Sequence, residues 1–155
     1  MPILESNIFI TGNLEDLSCT QKDISEWVQA LIDVEEGLDE LITAKNINFS
    51  FVSEEEIQKL NLTFLKKDKP TNVLSFPSPA TDLNQDLLGD IAICIDVIKK
   101  ESYEQGKETA DHLIHIILHS VLHLVGYDHE DEASANKMEL LEISTLKKIG
   151  IANPY

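Results

Sequence analysis

The fold is decided by residues 109 to 129, which have the sequence TADHLIHIILHSVLHLVGYDH. From Thr109 to Val125 the apolar residues point in nearly every direction around a helix, a pattern typical of a helix buried at the centre of a domain. Of the 5 histidines in the chain, all but one lie on this predicted helix, and the last, His129, follows it closely. The sequence therefore predicts a central helix that carries histidines in or near the core.

Strand and helix patterns alternate on either side of this central helix. The apolar patterns predict strands at residues 7–11, 47–51, 73–76 and 91–95. Amphipathic spacing predicts helices at residues 24–32, 53–64, 96–105 and 134–149. Ser53 with Glu56 forms a capping-box pattern, and Asp96 is predicted to cap the helix that follows it. About four strands and four to six helices indicate an α+β fold, and we expect residues 1–155 to form a single domain.

The charge of the chain argues against a broad nucleic-acid-binding surface. The chain has 28 acidic and 12 basic residues, a formal net charge of −16, and every basic residue is lysine. Without arginine it lacks the planar guanidinium fork that binds phosphates through two hydrogen bonds. The densest basic group, here called the lysine cluster, consists of Lys66, Lys67 and Lys69. This cluster is either a local anion-binding patch or an exposed solubilising loop.

No segment of the sequence predicts export or a membrane span. The N-terminus lacks a basic region followed by an apolar run, and no stretch approaches the ~20 apolar residues of a transmembrane helix. We therefore expect a cytoplasmic protein without a membrane partner. Cys19 and Cys94 lie far apart in the sequence and lack metal-type spacing, so we predict two reduced thiols.

Three histidines have the spacing of a catalytic zinc site. His119 and His123 are four residues apart, so their side chains are neighbours on a helix and can converge on one ion. Gly126 can end the helix in the left-handed conformation, which lets the chain turn back and bring His129 to the same ion. Three histidine ligands leave the fourth tetrahedral position open, the arrangement of catalytic rather than structural zinc.

The same spacing occurs in the metzincin proteases, but one residue breaks the match. Ser120 occupies the position of the glutamate that acts as general base in those enzymes, so the protease mechanism loses its proton acceptor. His112 and His115 are interpreted as core histidines, with support of a metal ligand as the alternative for His115. Met138 is interpreted as a core residue, with a place beneath the metal as the alternative.

Several segments resemble the YbeY family of bacterial metal-dependent endoribonucleases. Residues 119–129, HSVLHLVGYDH, resemble the family signature HGxLHLxGYDH. Residues 60–63 (LNLT), 67–77 (KDKPTNVLSFP) and 88–91 (LGDI) resemble further family segments, as do Met138 and Glu142 in the last predicted helix. Two positions depart from the family pattern: Ser120 replaces a glycine, and Leu65 stands where the family usually carries an arginine that is implicated in function.

The resemblance implies a fold, a cofactor and a substrate. The fold would be a small mixed sheet flanked by helices, with one zinc ion per chain held by His119, His123 and His129. The activity would be hydrolytic cleavage of single-stranded RNA in ribosomal RNA processing, specifically maturation of the 16S rRNA 3′ end, and in ribosome quality control. No catalytic side chain is assigned: a zinc-bound water would be the attacking group, and attack by a ribose 2′-OH stays open as the alternative. The lysine cluster would contact RNA, the ribosome or its small subunit would be the partner, and DNA would not be bound.

Two other functions remain open from the sequence. One is a non-catalytic ribosome assembly factor in which zinc only stabilises the fold. The other is a zinc hydrolase that acts on some other small ester or amide.

Overall fold

The computed structural model describes residues 3, 5–12, 19–79 and 86–155. In these residues a short 3-10 helix, Glu5–Asn7, precedes four strands and six α-helices. The strands are β1 (Ile8–Gly12), β2 (Asn46–Phe51), β3 (Val73–Pro77) and β4 (Leu87–Ile93). The helices are α1 (Gln21–Val34), α2 (Leu38–Ile42), α3 (Glu54–Leu65), α4 (Ile95–Gln105), α5 (Thr109–Leu124) and α6 (Glu132–Ile149). None of the described helices is long and apolar enough to cross a membrane.

The four strands form one mixed sheet in the order β1-β2-β4-β3. β2 pairs in parallel with both β1 and β4, whereas β3 pairs with β4 in antiparallel orientation. Alternate residues of β2 are buried, as the apolar alternation at Ile47, Phe49 and Phe51 predicts. The predicted α+β fold with a small mixed sheet is confirmed, and β3 lies at the edge of the sheet.

Helix α5 is the centre of the core, as its sequence predicts. All but a few of its residues are buried, and it packs against α4, α6 and the edge strand β3. Gly89 of β4 permits this close packing, because a Cβ atom there would lie 2.6 Å from Leu124 Cδ2 and 2.6 Å from the carbonyl oxygen of Phe76. The end of α5 that carries the candidate metal ligands therefore lies against the sheet beside β3.

The predicted element ends differ from the structure in several places. The prediction that Asp96 caps α4 is wrong: Cys94 is the N-cap residue, and Asp96 lies in the first turn. β4 begins earlier than predicted because Asn46 pairs with Leu87, and it ends at Ile93. α6 begins at Glu132 because the Asp131 side chain accepts a hydrogen bond from the Ser134 amide.

Two local features were not predicted at all. The short helix α2 follows Gly37, whose positive φ of 99° turns the chain directly into a new helix. Thr20 and Asp23 form a reciprocal capping box at the start of α1. Residues 77–86, a Pro-containing stretch whose sequence predicts a surface loop, lie mostly outside the described residues.

Candidate metal centre

The three predicted ligands come together at the end of α5. Their ligand nitrogens all lie within 4.8 Å of one another, and Nε2 of His119 is 3.0 Å from Nε2 of His123. His129 reaches the same point because Gly126 adopts a φ of +103°, which lets the chain reverse after α5. The Tyr127 amide donates to the Leu122 carbonyl at 3.0 Å and fixes this turn.

Two of the three imidazoles are oriented by hydrogen bonds at Nδ1. Nδ1 of His119 lies 2.6 Å from Oε1 of Glu142, and Nδ1 of His123 lies 2.9 Å from the carbonyl oxygen of Tyr127. Because both partners are acceptors, Nδ1 carries the proton in each ring and Nε2 keeps its lone pair. Both rings thus present Nε2 as a metal ligand before any ion binds.

Glu142 is the best-buried charged side chain near these histidines. Its relative exposure is 0%, and it contacts His119, His115 and Tyr155. Burial alone would raise the pKa of the Glu142 carboxyl, but its interactions with His115, His119 and Tyr155 outweigh burial and hold that pKa at about 2. Glu142 is therefore a carboxylate that accepts hydrogen bonds.

Burial lowers the pKa of His123, and the neighbouring His119 lowers it further. The hydrogen bond to the Tyr127 carbonyl opposes this shift. The lowered pKa favours the neutral imidazole, which is the form that binds metals.

The other singled-out residues lie around this centre. His112 is buried, with Nε2 3.1 Å from Oε1 of Glu101. Nε2 of His115 lies 3.5 Å from Oε1 of Glu142, which places it one contact away from His119. Met138 is buried in the main core cluster.

An open cavity of about 510 Å³ adjoins the histidines. Its walls combine residues from α3, β3, α5 and the segments that follow α5 and α6. The lining residues include Leu65, Asn72, Ser75, Pro77, the three candidate ligands and Tyr155. The lysine cluster is exposed at the end of α3 and does not line this cavity, although Leu65, directly before Lys66, does. The structure thus places Leu65, one of the two departures from the family pattern, beside the candidate metal ligands.

The donor set suits a transition metal that prefers nitrogen. Three neutral imidazoles with a neighbouring cavity match a zinc site with an open coordination position. In zinc sites, too, the ligand histidines donate their other ring N–H to a carboxylate or a carbonyl oxygen, which fixes the orientation of the ring. Because copper and nickel also accept imidazoles, the donor set indicates a metal site without by itself selecting zinc.

Comparison with known proteins decides the family. The family model described as endoribonuclease YbeY matches residues 9–150. The chain belongs to the YbeY family. An endoribonuclease YbeY from Vesicomyosocius okutanii is 44% identical over 158 residues, covering 100% of both chains. One from Colwellia psychrerythraea is 42% identical, over 90% of this chain and 93% of the relative.

A solved structure has a similar fold. The solution structure of TM1509 from Thermotoga maritima matches with a TM-score of 0.56 and 27% sequence identity. The match covers 92% of this chain and 91% of that chain.

Two residues beside the candidate ligands were given no role from the sequence. Glu142 appeared only as part of the family resemblance, and Tyr155 was not singled out. A buried acidic residue among apolar neighbours in the last predicted helix is a signal that could have drawn attention to Glu142. Nothing local distinguishes Tyr155, whose contacts with His115 and Glu142 depend on tertiary structure.

Proposed function

We propose that this chain cleaves single-stranded RNA with one zinc ion held by His119, His123 and His129. Membership of the YbeY family makes the chain a metal-dependent endoribonuclease of ribosomal RNA processing. The observation that carries the zinc proposal is the convergence of three histidine nitrogens within 4.8 Å of one another. The fourth position of a tetrahedral ion would remain available for reaction, since only three such donors group together in the described part of the chain.

The residues of the chain prepare this site for phosphodiester hydrolysis. When bound, zinc supplies Lewis-acid polarisation of a phosphoryl oxygen and makes water a stronger nucleophile at neutral pH. Glu142 holds the proton of His119 at Nδ1, and the Tyr127 carbonyl does the same for His123. Both Nε2 atoms are therefore fixed without rearrangement at the moment of reaction.

The surroundings of the cavity favour an unpaired strand. The cavity volume is sufficient for a nucleotide-sized group, and only a strand with splayed bases can bring its phosphate to an ion at a helix end. Next to Leu65, Phe64 is 59% exposed and packs edge-on against Phe76, with ring centroids 5.0 Å apart. An exposed aromatic ring can stack a base, and the exposed lysine cluster that follows can contact the backbone.

The partners follow from this activity. The substrate would be ribosomal RNA, with the 3′ end of 16S rRNA as the segment and the small ribosomal subunit as the particle that presents it. This role places the protein in the cytoplasm. The open cavity beside the three histidines supports a catalytic rather than a purely structural zinc, since structural sites are closed by four protein ligands.

A comparison of two histidine variants tests the proposal. The purified wild type should carry about one zinc per chain. His123→Ala removes a ligand itself, so it should weaken zinc binding by more than the roughly 10- to 100-fold loss expected when a residue that only hydrogen-bonds a ligand is replaced. His112→Ala is the matched control, because it removes a buried histidine of the same helix that bonds to Glu101 instead. This control should keep zinc and activity, although it should lower the stability of the zinc-free protein.

Two activity measurements accompany the zinc measurement. Wild type and His112→Ala should cleave single-stranded RNA faster than duplex RNA of the same sequence, and His123→Ala should cleave neither. Absence of bound metal after zinc is added, or equal cleavage by His123→Ala and wild type, would disprove the assignment.

A further inference from the structure

A hydrogen-bond network behind the candidate ligands ends at Tyr155. The Tyr155 hydroxyl donates to Oε2 of Glu142 at 2.5 Å, and its oxygen lies 3.2 Å from Nε2 of His115. The other carboxylate oxygen, Oε1, accepts from Nδ1 of His119 at 2.6 Å. One oxygen of Glu142 is thus held by a candidate metal ligand and the other by Tyr155.

The donors and acceptors of this network fit one arrangement of protons. An ionised carboxylate has no proton to give, so the Tyr155 hydroxyl must donate to Glu142. The Tyr155 oxygen is then an acceptor, and Nε2 of His115 donates to it. Consistently, Nδ1 of His115 is buried without a hydrogen-bond partner among the described residues, as expected if it carries no proton.

We propose that Tyr155 is a positioning residue of the metal centre, which holds the Glu142 carboxylate in the orientation that fixes His119 for metal binding. The proposal rests on the zinc site of the proposed function, and Tyr155 acts only through Glu142. A carboxylate held at one oxygen can rotate and let the imidazole turn with it. Donors at both oxygens remove that freedom, and partners of this kind raise metal affinity by fixing the ligand ring.

Tyr155 is itself held in place by contacts that do not involve its hydroxyl. Nζ of Lys107 donates to the Pro154 carbonyl at 3.0 Å, and the Tyr155 amide donates to Oδ1 of Asn153 at 2.9 Å. The Tyr155 ring packs edge-on against His115, with centroids 5.4 Å apart. Because the residue is 59% exposed, removing only the hydroxyl costs little packing, and Tyr155→Phe should fold.

Zinc affinity of Tyr155→Phe is the first test, with Tyr103→Phe as the matched control. Tyr103 is 90% exposed on α4, so its variant removes a hydroxyl without touching the network. Competition with a chromophoric chelator should show about 3- to 10-fold weaker zinc binding for Tyr155→Phe. This loss is at or below the lower end of the roughly 10- to 100-fold loss expected when a residue that hydrogen-bonds a metal ligand directly is replaced. Tyr103→Phe should bind zinc as the wild type does.

Histidine nitrogen spectra of the zinc-free protein provide a second readout. Nε2 of His119 should be unprotonated in the wild type, whereas Tyr155→Phe should show a mixture of the two ring tautomers. A merely structural role of Tyr155 would lower the melting temperature and leave both zinc affinity and this spectrum unchanged, which would overturn the proposal.

A double-mutant cycle with Glu142→Gln tests the route through the carboxylate. If Tyr155 acts through Glu142, Tyr155→Phe should have a smaller effect on zinc affinity in the Glu142→Gln background. Additive effects of the two substitutions on zinc affinity would overturn the proposal. If Glu142→Gln does not fold, the histidine nitrogen spectra decide between the outcomes. A wild type that binds no zinc refutes the proposed function, whereas equal zinc binding by wild type and Tyr155→Phe refutes only this inference.

Discussion

Replacement of Leu65 by arginine should accelerate RNA cleavage. Leu65 lines the cavity beside the three histidines, and it stands where the family resemblance leads us to expect an arginine. An arginine there can offer a phosphate two charge-assisted hydrogen bonds, whereas leucine offers neither charge nor donor. Because a well-placed cation can contribute on the order of 10² in rate, we expect Leu65→Arg to gain activity up to that scale.

The substitution should cost little stability. Leu65 is 52% exposed, so about half of the ~2 kcal/mol for fully burying a leucine is at stake, or roughly 1 kcal/mol at most. The apolar stem of arginine can cover part of the same surface. Leu65 is also the last residue of α3, whose last turn contains no basic residue, and a cation there interacts favourably with the helix dipole.

Single-turnover cleavage of a single-stranded RNA at equal zinc occupancy measures the effect, with His123→Ala as background. Leu62→Arg is the matched control: Leu62 is 46% exposed on the same helix and is not among the cavity-lining residues. Leu62→Arg should leave the single-turnover rate nearly unchanged. Equal rates for wild type and Leu65→Arg would refute the reasoning, since a neighbouring lysine would then already fill the role. Equal gains from Leu65→Arg and Leu62→Arg would also refute it, since added positive charge alone would then account for the gain.

Three further predictions concern packing, thiol chemistry and RNA binding. Gly89→Ala should lower the melting temperature, because its Cβ would lie 2.6 Å from the carbonyl oxygen of Phe76, a backbone atom of the paired strand that cannot move aside; unchanged melting would contradict this contact. Cys19 and Cys94 should resist alkylation at pH 8 until denaturant is added, since burial raises the pKa of Cys19 to about 11 and that of Cys94 as well; rapid labelling of the native protein would count against both. A plot of the logarithm of RNA affinity against the logarithm of salt concentration should have a slope shallower than about −4, because the lysine cluster displaces few counterions; a steeper slope would require a larger basic surface.

The central helix and the grouping of the candidate ligand histidines could be predicted from the sequence. Helical spacing makes His119 and His123 neighbours, and the turn at Gly126 brings His129 to them, so the grouping depends only on one helix and the turn that follows it. The apolar pattern of residues 109–125 likewise required burial on nearly all sides, whatever the surrounding topology. Such features depend on local geometry, which the order of residues specifies directly.

The surroundings of those histidines depend on contacts between elements that are distant in the sequence. Glu142 meets His119 across 23 residues of sequence, and Tyr155 meets His115 across 40, so no helical or strand period relates them. Leu65 reaches the cavity only because α3 and the edge strand β3 come together beside the end of α5. The N-cap at Cys94 was also set by long-range pairing, because β4 ends at Ile93 and the Cys94 amide donates to the Asn72 carbonyl. Contacts of this kind depend on how whole elements pack, which local propensity does not encode.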